Sequence, residues 1–159
     1  MKKIIQFNFF SESKKWPRRF PKIKMITRKT MNFMDVYFSK KFLFNINLIF
    51  SDKHRLSKLN KKFKHSHQDT DVLTFTSIIT NKKLGKIKYC DIFFSIDTIE
   101  KFVKKNEVNF YDHYNHLLIH SLLHINGYNH KTKNQFEIMK KEEIKNLQKF
   151  GITNPYQPL

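Results

Sequence analysis

The sequence is poor in several residue types, and each shortage excludes a class of protein. Cys90 is the only cysteine in 159 residues, which excludes an internal disulfide framework and a cysteine-based zinc site. No apolar run approaches the ~20 residues that a membrane-spanning helix needs. Residues 1–10 lead into a polar segment without a small-residue cleavage site, so no signal peptide is predicted. We therefore expect a cytoplasmic protein with no membrane partner.

Alanine is absent, and acidic residues are few. The chain has 31 Lys and Arg residues against 13 Asp and Glu residues, a formal net charge of +18, yet only four of the basic residues are arginine. Such an excess of positive charge favours a polyanionic partner such as nucleic acid. Seventeen phenylalanines and three glycines, however, are also typical of AT-rich coding, which enriches lysine regardless of function. The charge alone therefore leaves both interpretations open.

Apolar periodicity predicts strands and helices in one domain that spans residues 1–159, with no internal repeat or domain boundary. The segment 16–22 is predicted to be a solvated basic turn, with contact to RNA as the alternative. The predicted strands are 3–10, 42–50, 72–76 and 87–95, with a hairpin turn at 81–85. The predicted helices are 23–37, 52–62, 98–105, 111–126 and 132–149. The hairpin makes the sheet at least partly antiparallel.

Capping residues and apolar spacing refine these helices. Ser51 is predicted to cap helix 52–62, and Asp97 with Glu100 to cap helix 98–105. Apolar residues at helical spacing indicate the inward faces. They are Ile26, Met31, Met34, Val36, Leu56, Leu59, Ile99, Phe102, Val103, Phe136, Met139, Ile144 and Leu147.

The stretch 120–130 has the spacing of a metal site. His120 and His124 are four residues apart, so on a helix their rings share one face and can share one ion. Gly127 can take a positive φ, end the helix and let His130 return to the ion. An adjoining stripe is mostly apolar and is predicted to be buried, with Tyr114, Leu117, Leu118, Ser121 and Ile125.

Three imidazoles suit one zinc ion better than the other common ions, and three protein ligands leave a coordination position open. Zinc in such a site brings the pKa of a bound water to roughly 7 and polarises carbonyl or phosphoryl oxygens. The same spacing occurs in the zinc peptidase pattern H-E-x-x-H-x-x-G-x-x-H. That pattern needs a glutamate as general base where this chain has Ser121, so peptide hydrolysis is disfavoured.

Residues 120–130 resemble the H-G-x-L-H-L-x-G-Y-D-H signature of the YbeY endoribonucleases, which are bacterial rRNA maturation factors. The likeness runs in register from about residue 43 to residue 156. Leu59-Asn60 with Lys64 resembles the family segment L-N-x-x-Y-R, and residues 70–75 resemble T-D-V-L-S-F. Further matches are Asp91-Ile92 with Ser95, and Met139, Glu143, Gly151 and Pro155-Tyr156 in the C-terminal helix and tail.

The resemblance implies an α+β fold with a small mixed sheet packed with helices, and a zinc site at the C-terminal part of a central helix. His120, His124 and His130 would be the ligands, and Lys64 takes the place of an arginine that holds substrate phosphate. The implied activity is single-strand-specific cleavage of RNA in 3′-end maturation of small-subunit (16S) rRNA and in ribosome quality control. The implied partners are ribosomal RNA and the small ribosomal subunit, with no nucleotide cofactor.

Three positions depart from the family pattern, since Lys64 replaces arginine, Ser121 glycine and Asn129 aspartate. A lysine keeps the charge but not the two-pronged contact with phosphate. The departures keep open a non-catalytic, zinc-containing ribosome-assembly factor as an alternative, and a metallopeptidase as a weaker one.

Four further residues have two interpretations each. His116 either forms part of the rim of the site or is a surface histidine. Asp71 either orients a ligand or caps its loop. His65 and His67 have a spacing that could bind a metal, although a flexible polar loop explains them better.

Overall fold

The computed structural model of the protein describes residues 5–66 and 68–157. Within these residues the strands are β1 (Ile5–Ser11), β2 (Leu43–Ser51), β3 (Val72–Asn81) and β4 (Gly85–Ser95). The helices are α1 (Lys15–Arg19), α2 (Ile23–Met34), α3 (Lys53–Lys64), α4 (Ile96–Asn106), α5 (Phe110–Ile125) and α6 (Lys133–Gln148). A short 3-10 helix, Asp35–Tyr37, follows α2. The predicted α+β class is confirmed.

The strands form one mixed sheet in the order β1-β2-β4-β3. β1, β2 and β4 are parallel, and β3 is antiparallel to β4 through the predicted hairpin. At the turn, Asn81 Oδ1 accepts hydrogen bonds from the backbone N–H groups of Lys83 and Leu84, and Gly85 has a φ of +82°. β3 extends beyond its predicted end at residue 76 and lies at an edge of the sheet.

The two faces of the sheet carry cores of different size. The main core lies under α5, where the Tyr114 ring centre is 4.9 Å from that of Phe94 on β4. The opposite face carries a smaller cluster under α3, with Ile49, Leu56, Leu73 and Phe93. β2 and β4 contribute side chains to both clusters, because side chains alternate between the two faces of a strand. α5 is therefore the central helix. Among the described residues, no helix combines the length and apolarity needed to cross a bilayer.

The solvated turn predicted at residues 16–22 is confined to residues 21 and 22, which are exposed. Residues 16–19 belong to α1 instead, with Pro17 in its first turn, where a missing N–H leaves no hydrogen bond unmade. Trp16 is 3% exposed, and its Nε1 donates to the Ser51 carbonyl at 2.8 Å. Burial of the indole in the main core outweighs the local turn signal of the two prolines, because an aromatic side chain buries a large apolar area.

Both predicted capping residues are displaced by one or two positions. Asp52, not Ser51, caps α3, because Ser51 still belongs to β2, where its hydroxyl donates to Glu12. α4 begins directly after β4, so Ser95 caps it and accepts a hydrogen bond from the Thr98 N–H. Asp97 then lies in the first turn, where its carboxylate pairs with Lys15 at 2.8 Å.

Most of the predicted inward residues are buried or partly buried, but Val36, Phe102 and Phe136 are not. Val36 is 83% exposed because it lies in the 3-10 helix, whose tighter turn breaks the α-helical register. Phe102 and Phe136 are each exposed on one side, and their other sides cover the rings of His113 and Tyr156.

Candidate metal centre

α5 carries two of the predicted ligands. Its first turn is capped by Asn109, whose side-chain oxygen accepts hydrogen bonds from the N–H groups of Tyr111 and Asp112. The predicted apolar stripe is fully buried against the sheet, which fixes the rotation of the helix. His120 and His124 occupy the neighbouring stripe and are partly exposed. Packing of α5 thus presents both rings at the border of the core, where an ion can reach them.

Gly127 ends α5 and returns the chain to its own last turn. Its φ is +94°, a conformation that costs glycine little. The Gly127 N–H donates to the His124 carbonyl, and the Tyr128 N–H donates to the Leu123 carbonyl, both at 3.1 Å. This pair of bonds is the Schellman arrangement of helix ends. It brings His130 back to the two helical histidines.

The three histidines converge. His120 Nε2 and His124 Nε2 lie 3.0 Å apart. One ring nitrogen from each of His120, His124 and His130 lies within 4.8 Å of the other two. Two nitrogens that share a tetrahedral zinc ion at about 2.0–2.1 Å stand roughly 3.3 Å apart, so the helical pair already has the spacing of ligands.

Hydrogen bonds on the far side of each ring orient two of the histidines. His120 Nδ1 donates to Glu143 Oε1 on α6. His124 Nδ1 donates to the Tyr128 carbonyl at 3.0 Å, within the turn that Gly127 creates. Both bonds place the proton on Nδ1, so Nε2 of each ring keeps a free lone pair toward the cluster. An orienting partner of this kind is the usual companion of a histidine that binds a metal.

Glu143 is a buried charge with hydrogen bonds to both of its carboxylate oxygens. It is 1% exposed, and its Oε2 accepts hydrogen bonds from His116 Nε2 at 2.9 Å and from the Tyr156 hydroxyl. Burial alone would raise the pKa of Glu143, but the hydrogen bonds from His116, His120 and Tyr156 outweigh it and bring the pKa to about 2. A full negative charge therefore lies behind His120 at neutral pH.

His124 is neutral at neutral pH, as a ligand must be. Burial, together with the neighbouring rings of His120 and His130, lowers its pKa to about 4. A neutral imidazole coordinates a metal without first releasing a proton. The cluster contains imidazoles only, a donor set that suits zinc. The residues present therefore fit the zinc ion that the sequence predicts.

His116 and Asp71 have partners other than those expected. His116 lies one turn before His120, is partly buried, and donates from Nε2 to Glu143 Oε2. Its place at the rim of the site stays a prediction. Asp71 Oδ2 accepts a hydrogen bond from His113 Nε2 at 3.0 Å and thereby ties the loop before β3 to α5. The suggestion that Asp71 orients a metal ligand is not supported by this contact.

Lys64 lies close to an aromatic ring of β3. It is the last residue of α3, and its Nζ lies 5.7 Å from the Phe75 ring centre, beside the smaller core. His65 has a φ of +51° and ends α3 as its cap, which gives it a backbone role. His67 lies outside the described residues, so the pairing of His65 with His67 stays a prediction.

The other two departures from the family pattern have different environments. Ser121 is fully buried, and its hydroxyl has no hydrogen-bond partner among the described residues. Asn129 Oδ1 accepts a hydrogen bond from the His130 N–H at 2.8 Å. An aspartate can accept the same bond, so the amide retains the contact and loses only the charge.

The roles of Glu143 and Tyr156 were missed in the sequence, although both residues match the family pattern. A signal for Glu143 existed, since it lies four residues from both Met139 and Leu147 on the buried face of α6. An acidic residue at a core position is rarely buried unless it is paired. Tyr156 carried no comparable signal, because its contact depends on how the tail folds back.

Comparison with known proteins agrees with this geometry. A family model described as endoribonuclease YbeY matches residues 9–151. The Endoribonuclease YbeY of Ehrlichia chaffeensis is 33% identical over 98% of both chains, and that of Ehrlichia ruminantium is 35% identical over 96% of this chain and 95% of its own. The fold resembles a solution structure from Thermotoga maritima, with a TM-score of 0.57 and 18% identity over 96% of this chain and 100% of the other. The chain belongs to the endoribonuclease YbeY family.

Proposed function

We propose that this endoribonuclease is zinc-dependent and specific for single strands, and that it acts in 3′-end maturation of 16S rRNA and in ribosome quality control. The observation that carries the zinc dependence is the cluster of His120, His124 and His130 at the C-terminal end of α5. The RNA substrate comes from the family, whose curated members are named endoribonucleases. Ribosomal RNA and the small subunit are the proposed partners, and the cytoplasm is the proposed location.

The three histidines would hold one zinc ion. When bound, zinc supplies a Lewis acid that lowers the pKa of water and polarises a phosphoryl oxygen. Glu143 keeps the His120 ring in one tautomer and orientation, and the Tyr128 carbonyl does the same for His124. This preorganisation matters because a catalytic group loses efficiency when its position varies by as little as ~1 Å.

Lysines next to the cluster would bind the phosphates of the RNA backbone. Lys131 and Lys133 follow His130 and are exposed, so they bring positive charge to the third ligand. Lys64, whose Nζ lies 5.7 Å from the Phe75 ring centre, stays a proposed phosphate contact. A lysine acts on phosphate as a point charge rather than as a bidentate fork.

The test is cleavage of RNA by protein with a defined metal content. Zinc-loaded protein should cut a single-stranded RNA that carries the 3′ end of 16S rRNA, and should leave the same sequence in a duplex intact. His124→Ala should lose the activity by a factor of at least about 100, because the cluster loses a ligand. His54→Ala, a change at an exposed histidine of α3, is the matched control and should cut normally.

Equal cleavage by wild type and His124→Ala would contradict the proposal. Mapping of the 3′ ends after incubation with small-subunit particles tests the finer assignment. If the protein cuts unstructured RNA but does not change the 3′ end of 16S rRNA, it is an endoribonuclease with a different RNA target.

A non-catalytic assembly factor is the second candidate, and the residue at position 64 favours it. Lys64 keeps the charge of the family arginine but not its bidentate contact with phosphate. Zinc-loaded protein that binds small-subunit particles without cutting RNA would establish this function. The metallopeptidase has weaker support, because Ser121 is buried and cannot replace the missing glutamate base.

A further inference from the structure

The C-terminal tail folds back on α6. Gly151, with a φ of +69°, reverses the chain, and the Ile152 N–H donates to the Leu147 carbonyl at 3.1 Å. A second turn follows, in which Asn154 Oδ1 accepts a hydrogen bond from the Tyr156 N–H at 2.9 Å. An asparagine side chain that bonds the backbone two residues later is a common turn device. The two turns return Tyr156 to the helix it has just left.

The Tyr156 ring packs against side chains of α6 and α5. Its centre is 6.0 Å from the Phe136 ring and 5.3 Å from Lys140 Nζ, and Glu143 continues the same face of α6. The His116 ring of α5 is 5.8 Å away. These contacts restrict the ring and direct its hydroxyl toward Glu143.

The hydroxyl reaches the metal centre through one carboxylate. Tyr156 donates to Glu143 Oε2, and the other oxygen of the same carboxylate, Oε1, accepts from His120 Nδ1. Since a carboxylate group is planar and rotates as a unit, the bonds that Tyr156 and His116 donate to Oε2 also restrict Oε1. Tyr156 is therefore two hydrogen bonds away from a ligand of the proposed ion.

We propose that Tyr156 is a positioning residue of the metal centre, which it acts on through Glu143, so that the C-terminal tail completes the zinc site. This inference rests on the proposed zinc dependence. It assigns the tail a role in ligand geometry beyond packing, and it makes zinc affinity depend on a hydroxyl that does not touch the ion.

Tyr156→Phe tests the hydroxyl alone, because phenylalanine keeps the ring on Phe136 and Lys140. Zinc affinity, measured by competition with a chromophoric chelator, should weaken about threefold to tenfold, the range expected for one lost hydrogen bond. NMR of the His120 ring nitrogens in the zinc-free protein should show a shifted Nδ1 signal. That signature reports the His120–Glu143 bond directly, and a loss of general stability would not produce it.

Tyr37→Phe is the matched control. The Tyr37 hydroxyl donates to Glu142, the neighbouring residue on α6, and accepts from Asn146 Nδ2 at 2.8 Å. Its removal also deletes a tyrosine–glutamate bond at this helix, but one that holds no ligand of the cluster. Zinc affinity of Tyr37→Phe should equal that of wild type even if its melting temperature falls.

A double-mutant cycle tests the route. If Tyr156 acts through Glu143, adding Tyr156→Phe to Glu143→Gln should weaken zinc binding by less than it does in wild type. If zinc affinity is unchanged in Tyr156→Phe, or is weakened equally in Tyr37→Phe, the proposed role of the tail is wrong. The proposed zinc dependence is not affected by that result. Wild-type protein that takes up no zinc would overturn the proposed function, and the role of the tail with it.

Discussion

At the scale of single residues, one buried carboxylate orients the candidate metal centre. An unpaired charge in the interior is costly, yet Glu143 is 1% exposed and accepts hydrogen bonds from His116, His120 and Tyr156. A buried ionic group of this kind contributes little net stability compared with an apolar replacement. Its value is directional, since it fixes the tautomer and the orientation of His120.

The first prediction concerns this carboxylate. In Glu143→Gln the side chain keeps its shape, but it loses the charge and offers one acceptor oxygen in place of two. Loss of such a partner behind a metal ligand typically weakens affinity by roughly 10- to 100-fold, and we expect a weakening of zinc binding in that range. Isothermal titration with zinc, in competition with a chelator, measures it.

Glu137→Gln is the control, because Glu137 lies on the same helix and is exposed. It removes the same charge from α6 without touching the cluster, so its zinc affinity should equal that of wild type. Equal affinities in Glu143→Gln and wild type would show that Glu143 does not orient His120.

At the scale of elements, the site is made by the end of a helix. α5 supplies His120 and His124, and the turn at Gly127 both returns His130 and presents the Tyr128 carbonyl to His124. The same hydrogen bonds thus end the helix and shape the ligand set. Lys88 Nζ of β4 donates to the Ile125 carbonyl at 2.5 Å, a cation at the negative end of the helix.

The second prediction is the effect of Gly127→Ala. A Cβ at this position would meet nothing within 4 Å, so the cost is backbone strain at a φ of +94°, about 1–2 kcal/mol. The melting temperature should fall by roughly 2–8 °C in a domain of this size. Zinc affinity should fall as well, because relief of the strain moves His130 and the Tyr128 carbonyl.

Gly85→Ala separates the two effects. Gly85 has a φ of +82° and also has nothing within 4 Å of a Cβ, but it lies in the hairpin between β3 and β4. Calorimetry should show a similar loss of stability in both variants, whereas only Gly127→Ala should bind zinc more weakly. Normal zinc affinity in Gly127→Ala would mean that this turn does not position the ligands.

At the scale of the whole molecule, the net charge of +18 predicts binding of RNA that depends on salt. For single strands the logarithm of affinity falls with the logarithm of salt concentration by about 0.7 for each phosphate neutralised.

We further propose that residues 1–159 fold as one domain, for which a single cooperative unfolding transition is the expected signature.

The third prediction joins the charge to the site. The double variant Lys131→Gln/Lys133→Gln should bind single-stranded RNA more weakly. The slope of the logarithm of affinity against the logarithm of salt concentration should become less steep by up to about 1.4. Fluorescence anisotropy at several salt concentrations measures both quantities. Lys104→Gln/Lys105→Gln removes two exposed lysines near the other end of α5 and is the control. Equal slopes in the two variants would mean that the lysines after His130 do not contact phosphate.

Much of the fold could be predicted, because the local pattern of apolar and polar residues indicates most of its strands and helices. Alternation and aromatic content located β2 and the β3–β4 hairpin, and Gly127 marked the end of α5. Errors arose where a distant contact outweighed a local signal. Trp16 is buried by packing against residues far along the chain, and Val36 is exposed because a 3-10 helix broke the register.

The candidate ligands could be predicted from the sequence, because the spacing of His120 and His124 and the glycine before His130 lie in one continuous segment. The residues that orient and surround these histidines could not be predicted in this way. His120 and Glu143 are 23 residues apart, and Tyr156 is a further 13 residues along the chain, so their contact depends on how α6 and the tail pack against α5. Lys64 shows the same dependence, since the packing of α3 placed it over Phe75. A helical repeat fixes neighbours within a few residues, whereas contacts between elements are set by the shape of the common core.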